Sequence, residues 1–359
     1  MPYERDNIQK MKGYTWGEQP ENGKTLKLNT NENPYPPSPH VQQCIDGLQA
    51  SSLRTYPPPT ADQLRNSIAE HHELEIGNVL ITNGGDEALR LALTTFVEPG
   101  TPLGFAQPSY SLYPVLADVQ DAPLCPIELD EDWELPRDCA HRLNEAGSRL
   151  ACFVNPHAPS GRLSTVEHVS QLANDFNGVL LLDEAYVDFV DPALRYDAVR
   201  LVHAFDNLLI LRSFSKGYSL AGLRLGYLLG QASLIDPLIN KTRDSYNVND
   251  ISQRLGWAAF QDQDYAQECW ANVRAARRHL REALAGLGLE SPASQANFLL
   301  ATVPYEAKLN AQQLYLALKE RGVLVRYFDA PPLEDKLRIS IGTTEQNQRL
   351  LKDLRDLLA

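Results

Sequence analysis

The sequence predicts an α/β protein in which a large domain on a largely parallel sheet is followed by a smaller α+β domain. Three observations predict it. Short, predominantly apolar runs, with apolar residues at consecutive rather than alternate positions, occur at 79–82, 151–154, 179–182 and 208–211, the pattern of strands buried on both faces. Between them lie amphipathic segments opened by helix-start signals. Near the C-terminal end the pattern changes, because Leu337, Ile339 and Ile341 alternate with Arg338 and Ser340, as in a strand with one wet face. A chain of 359 residues has the length of two domains and can bury a substantial core.

The elements follow in order. Residues 1–40 are rich in proline and asparagine and read as an extended arm that packs on the small domain or on a partner subunit. Thr60-Ala61-Asp62-Gln63 has capping-box spacing ahead of Leu64 and Ile68, so a helix should start there. VLIT (79–82) is a strand, Gly84-Gly85 a tight turn, and Asp86 the expected cap of the next helix. ACFV (151–154) is a second strand. Ser164 to Glu167 repeats the capping device, with Val166, Val169 and Leu172 on one face. VLLL (179–182) and LLIL (208–211) are further buried strands. Thr343 to Gln346 opens a last helix carrying Leu350, Leu351, Leu354 and Leu358. The expected division is an arm over 1–40, a large domain over 41–250 and a small domain over 251–359.

Composition narrows the function. The net charge of −13 comes without basic blocks, so nucleic acid and anionic membranes are not expected partners. Five cysteines at 44, 125, 139, 152 and 269 form no C-x-x-C pair, which predicts reduced thiols in a cytoplasmic protein and no metal site. The opening MPYERDNIQK is polar, so no secretory signal is expected, and no stretch has the ~20 apolar residues of a membrane span.

The chemistry concentrates at 181–230. A buried strand ends abruptly in Asp183-Glu184-Ala185-Tyr186, and LRSFSKGYSLAGLRLGYLLG (211–230) sets Lys216 among serines with Arg224 eight positions on. Alone, such a lysine is usually a solvated surface residue and such an aspartate a helix cap. Together, at the ends of apolar runs where open α/β sheets build their sites, they form a kit for pyridoxal phosphate. Lys216 can condense with the aldehyde, Asp183 can keep the pyridine nitrogen protonated, and Arg224 can pair with the phosphate.

The chain resembles the fold-type I pyridoxal-phosphate enzymes of the aminotransferase superfamily, and among them most the histidinol-phosphate aminotransferases. The resemblance runs through LNTNENPYPPSP (28–39), RTYPPPTADQLR (54–65), TNGGDEALRLAL (82–93), QPSYSLYP (107–114), LLDEAYVDF (181–189), the lysine segment, QANF (295–298), GVLVRYF (322–328) and LRISIGTTEQN (337–347). It implies a mostly parallel seven-stranded sheet in the large domain and a homodimer with shared active sites. It also implies transamination between an anionic amino substrate, L-histidinol phosphate, and a keto acid, 2-oxoglutarate, in histidine biosynthesis.

Roles for individual residues follow from the same resemblance. Lys216, Asp183 and Tyr186 are the expected catalytic groups, with Tyr186 reaching the cofactor's 3′-oxygen. Gly85 and Asp86, by their backbone, join Ser213, Ser215 and Arg224 around the phosphate, and Tyr56 reaches it from the neighbouring subunit. Tyr110 stacks on the ring. Arg338 holds the substrate's anionic end, and Arg326, Tyr14 and Asn33 complete the substrate site. One position departs from the family: Asn155-Pro156-His157-Ala158-Pro159-Ser160-Gly161 has Ala158 where an asparagine usually donates to the 3′-oxygen. Either Tyr186 works alone, or His157 or a water substitutes, or His157 is a bystander. The expected consequence is that the cofactor linkage titrates at higher pH than in relatives that keep the asparagine. An aromatic amino acid aminotransferase or a threonine-phosphate decarboxylase shares most of these motifs and stays open, as does, more remotely, a non-catalytic cofactor-binding protein.

Overall fold

Strands form where the apolar runs lie, and their register gathers the polar residues that follow them. The computed structural model describes residues 3–20 and 23–359; Met1, Pro2, Glu21 and Asn22 of the arm lie outside the described residues. The arm contributes β1 (Leu26–Lys27). Then come β2 (Val79–Thr82), β3 (Leu103–Gln107), β4 (Leu124–Glu128), β5 (Leu150–Val154), β6 (Val179–Asp183), β7 (Leu208–Ser213) and β8 (Gly226–Gly230). The later part adds β9 (Phe298–Thr302), β10 (Val323–Leu324), β11 (Arg326–Tyr327) and β12 (Lys336–Ser340).

A seven-stranded sheet runs β2-β8-β7-β6-β5-β3-β4. β8 is antiparallel to both neighbours and every other pair is parallel, which is the mostly parallel sheet expected. Side-chain alternation divides its core. Leu180, Leu182, Leu208 and Ile210 pack on one face, while Leu181, Leu209 and Leu211 pack on the other. Because both faces are covered, the strands are apolar at successive positions. The carboxyl ends of β2, β3, β5, β6 and β7 share one edge with the start of β8. Loops at that edge carry the chemistry.

A second sheet, β11-β12-β9, is antiparallel and has its own core with Leu299, Leu337, Ile339 and Ile341. The arm bridges the two sheets. Arg5 and Asn7 donate to the Val119 and Asp118 carbonyls on helix Leu112–Gln120, each at 2.7 Å. β1 pairs in parallel with β10 beside the second sheet.

Local expectations met different fates. The Thr343 capping box forms in full with Gln346. At 164–167 the cap is Thr165, whose hydroxyl accepts from the His168 amide, one residue later than expected. At 60–63 no box forms, since helix Asp62–His71 starts from Ala61 in the left-handed region and Thr60 bonds the Asp62 carboxylate instead. The face of β12 expected to be wet is not open to solvent at Ser340, which is buried under the arm.

Candidate active site

The shared edge of the main sheet, the polar face of β12 and the arm enclose a cleft of about 360 Å³, the size of a small-molecule pocket. Every site residue expected from the sequence lines it except Tyr56 and Asn33. Tyr56 is 80% exposed and stacks on Tyr246 with ring centroids 4.4 Å apart. Asn33 lies beneath the lysine segment, donating to the backbone carbonyls of Lys216 at 3.0 Å and Gly217 at 3.3 Å.

Lys216 follows the end of β7, and its amine donates to the Thr30 carbonyl at 2.8 Å. Burial pushes the amine down to about 8, with Glu32 opposing the shift. A lysine with that proton affinity is partly neutral near physiological pH, as a nucleophile and base must be. Asp183 closes β6 and is buried. The Ala185 amide and the Tyr113 hydroxyl donate to its two oxygens at 3.1 and 3.0 Å. Burial raises its carboxyl to about 6 against the pull of those bonds. A cation brought to it would favour the ionised form.

The anion-holding end is built on β2. Gly84 turns at φ +80°, and a Cβ there would meet the Arg224 guanidinium at 2.7 Å, so only glycine fits. Helix Gly85–Phe96 starts at once, and no side chain caps it. Asp86 is therefore not the cap expected from the sequence. Its carboxylate instead pairs with Arg224 at 3.1 Å and accepts from the Tyr110 hydroxyl at 3.2 Å. Arg224 also approaches the Ser215 hydroxyl at 3.4 Å. Uncapped N–H groups, an arginine and hydroxyls make an anion cup.

At the opposite end Arg326 and Arg338 are direct cross-strand partners. Like charges so placed repel, and among the described residues neither forms an ion pair. Arg338 donates to the Asn29 carbonyl at 3.1 Å, but its Nε is buried without a partner. Both guanidiniums lie over the Phe328 ring, at 5.4 and 5.6 Å. An anionic guest would satisfy all of these groups at once. Tyr14 sits beside them, edge-on to Tyr110 with centroids 6.1 Å apart.

Tyr186 faces the middle of the cleft. Its hydroxyl accepts from Asn31 Nδ2 at 3.1 Å, and burial raises its proton affinity, so it stays a phenol. Ala158 forms part of the wall. His157 does not replace the missing amide, because its ring nitrogens bond Ser160 Oγ at 2.8 Å and the Pro108 carbonyl at 2.9 Å. Burial holds it near 4, so it is neutral at physiological pH. It is the bystander.

Sequence reasoning missed Thr30, Asn31, Tyr113 and Phe328. Tyr113 follows Tyr110 at helical spacing and Asn31 belongs to the same motif as Asn33, so the signal for each was adjacent. As a donor set, a buried lysine amine, a buried carboxylate, a phenol and an anion cup fit pyridoxal phosphate. Among the described residues no three His, Cys, Asp or Glu side chains are grouped to hold a metal ion, and no helix is long and apolar enough to cross a membrane.

Comparison with known proteins agrees with this chemistry. The family profile "Aminotransferase class I and II" matches residues 23–354. Histidinol-phosphate aminotransferase 1 of Nostoc sp. is 41% identical over 357 residues, 99% of this chain and 98% of that protein. The enzyme of the same name from Oceanobacillus iheyensis is 40% identical over 348 residues, 96% and 95% of the two chains. The crystal structure of histidinol-phosphate aminotransferase from Sinorhizobium meliloti in complex with pyridoxal-5′-phosphate shares the fold. Its TM-score is 0.90 at 23% identity, covering 100% of this chain and 98% of that one. The fold, the lysine–aspartate pair at the sheet edge and these likenesses converge: this chain belongs to the aminotransferase class I and II family and, within it, is similar to the histidinol-phosphate aminotransferases.

Proposed function

We propose that this protein transfers the amino group of L-histidinol phosphate to 2-oxoglutarate, using pyridoxal phosphate bound through Lys216. The observation that carries the substrate is the cross-strand pair of Arg326 and Arg338, which has no acidic partner among the described residues. A phosphate dianion justifies two adjacent guanidiniums better than a single carboxylate does. In the second half-reaction the keto acid's carboxylate takes the same place.

The bound cofactor supplies an electron sink for the carbon that carries the amino group. Asp183 holds a proton on the ring nitrogen. The Lys216 amine would take the proton from the substrate carbon and deliver it to the cofactor carbon that receives the amino nitrogen. Gly85, Asp86, Ser213, Ser215 and Arg224 would hold the phosphate, Tyr110 would cover the ring and Tyr186 would donate to the 3′-oxygen. Asn33 serves by bracing the backbone under Lys216 rather than by touching substrate. The exposed ring of Tyr56, away from its own cleft, supports a homodimer in which each subunit lends it to the other. The setting proposed is histidine biosynthesis in the cytoplasm.

The test is a single half-reaction. Holoprotein is mixed with histidinol phosphate without keto acid, and the cofactor absorbance is followed. A change to the aminated cofactor, reversed by 2-oxoglutarate, supports the reading. No change rejects this donor in favour of an aromatic amino acid. Release of carbon dioxide from threonine phosphate, with no need for keto acid, would instead mark a decarboxylase.

Two further outcomes are expected. Arg326→Ala should raise KM for histidinol phosphate by about 10- to 100-fold, the loss of one charge-assisted contact. The kinetics of an unphosphorylated donor should move much less; equal losses on both would remove Arg326 from phosphate binding. Below pH 8 Lys216 is mainly the unreactive ammonium, and above it mainly the nucleophile. Covalent capture of pyridoxal phosphate by apoprotein, timed by absorbance, should therefore accelerate with a midpoint near pH 8. A midpoint near the ordinary lysine value of 10.5 would mean a solvated amine.

A further inference from the structure

We infer that Asn31, on the N-terminal arm, is a positioning residue that makes Tyr186 the hydroxyl donor of the cleft and thereby sets the protonation of the bound cofactor. This rests on the cofactor reading above.

The network around Asn31 leaves one orientation for its amide. The backbone N–H of Asn31 donates to Ser340 Oγ at 2.9 Å, which engages that oxygen as an acceptor. The serine hydrogen is then free for Asn31 Oδ1, 3.2 Å away. With Oδ1 so engaged, Nδ2 is the group that faces Tyr186, at 3.1 Å. The Asn31 carbonyl is held in turn by Asn297 Nδ2 at 2.9 Å. Asn31 has φ +57° and is 2% exposed, so backbone and side chain are both locked, in a left-handed conformation that asparagine tolerates better than most residues.

An amide that donates to the phenol oxygen has a directional effect. The Tyr186 hydrogen cannot point at Asn31 and is turned elsewhere. Donation to its oxygen also polarises the O–H, strengthening the bond it makes. Ala158, in the cleft wall, has no side-chain donor of its own. The 3′-oxygen then depends on Tyr186, and Tyr186 depends on the arm. Each donor lost leaves that oxygen more basic, so the proton it shares with the lysine-derived nitrogen is kept to higher pH.

The experiment is a pH titration of the visible spectrum of holoprotein, independent of turnover. Asn31→Ala should raise the midpoint by about half to one pH unit, the worth of one ordinary hydrogen bond. Tyr186→Phe should raise it at least as much. Adding Asn31→Ala to Tyr186→Phe should give no further shift, because the asparagine acts through the tyrosine. A purely structural role would shift both backgrounds equally, and that result overturns the inference. Should Asn31→Ala not retain cofactor, Asn31→Asp carries the test. It keeps the Ser340 contact but accepts from the phenol, so the midpoint must again rise, and an unmoved midpoint overturns the inference. A wild-type protein without a borohydride-reducible band on Lys216 overturns the cofactor reading itself. A normal wild-type titration that neither variant moves overturns only the role of Asn31.

Discussion

Replacing Lys216 by alanine should leave a folded protein that holds pyridoxal phosphate non-covalently and turns over at least ~10³-fold more slowly. On the roles proposed above, two functions would be lost together, the covalent tether and the base that moves the substrate proton. Among the described residues no neighbour is positioned to inherit them. His157 is locked between Ser160 and Pro108, and Tyr186 stays a phenol. Stability should not fall with activity. Burial depresses the proton affinity of Lys216 from 10.5 to about 8, so at pH 7 the buried ammonium is a cost to the folded state. That cost is fully present below pH 8 and disappears as pH rises toward 10.5. The variant apoprotein at pH 7 should therefore unfold at or above the wild-type temperature. Borohydride reduction, steady-state turnover and a melting curve check the three claims. Multiple turnovers within tenfold of wild type would show that another base is used.

Replacing Asp183 by asparagine should lower kcat by about 10²- to 10³-fold, the effect of leaving a buried cation without its counter-charge. The substitution keeps the shape of the side chain and one good acceptor for the Ala185 amide, so the strand end should survive. What it loses is the negative charge. Asp183 is buried, and that burial raises its carboxyl to about 6. A protonated ring nitrogen beside it would lower that value, and the pair would ionise together. Tyr113→Phe removes only one of the two hydrogen bonds to this carboxylate and should cost about tenfold or less. Comparing kcat and the absorbance of bound cofactor in the two variants separates charge from orientation. A near-normal kcat in Asp183→Asn would remove the aspartate from the chemistry.

Local pattern carried much of the fold. The four strands legible as unbroken apolar runs became β2, β5, β6 and β7, within a residue or two at their ends. β3, β4 and β8 escaped for identifiable reasons. β3 contains Gly104, where a Cβ would meet Leu143 at 2.3 Å, so close packing, not strand propensity, chose the residue. β4 is an edge strand, part exposed and carrying Pro126. β8 is bounded by Gly226 and Gly230, which read as turn signals. The missed cap at Thr60 has a similar cause, because the left-handed Ala61 carries the helix start and no pattern of residue types announces it.

The site divides along the same line. That Lys216, Asp183, Arg224 and Tyr186 share one cleft was legible because their chemistry is rare at the ends of buried strands and their spacing lies within one segment of chain. Arg326 and Arg338 were legible one at a time, but their direct opposition depends on the register of β11 against β12, which no count of residues between them determines. Among the asparagines of LNTNENP, the sequence pointed to Asn33 as the substrate neighbour. The structure turns Asn31 into the cleft and sets Asn33 behind the lysine. The left-handed turn at Asn31 breaks the simple alternation that a reader of the sequence would apply.

By itself, then, the sequence determined the layered α/β architecture, the kind of chemistry and the candidate residues for it, since burial periodicity and side-chain reactivity are local properties. Only the tertiary structure decided how those residues are oriented. The Thr30 carbonyl that receives Lys216 and the Asn31 amide that directs Tyr186 lie 186 and 155 positions from their partners. Contacts so distant along the chain are set by how the arm threads between the two sheets, a matter of packing and closure that no local pattern encodes.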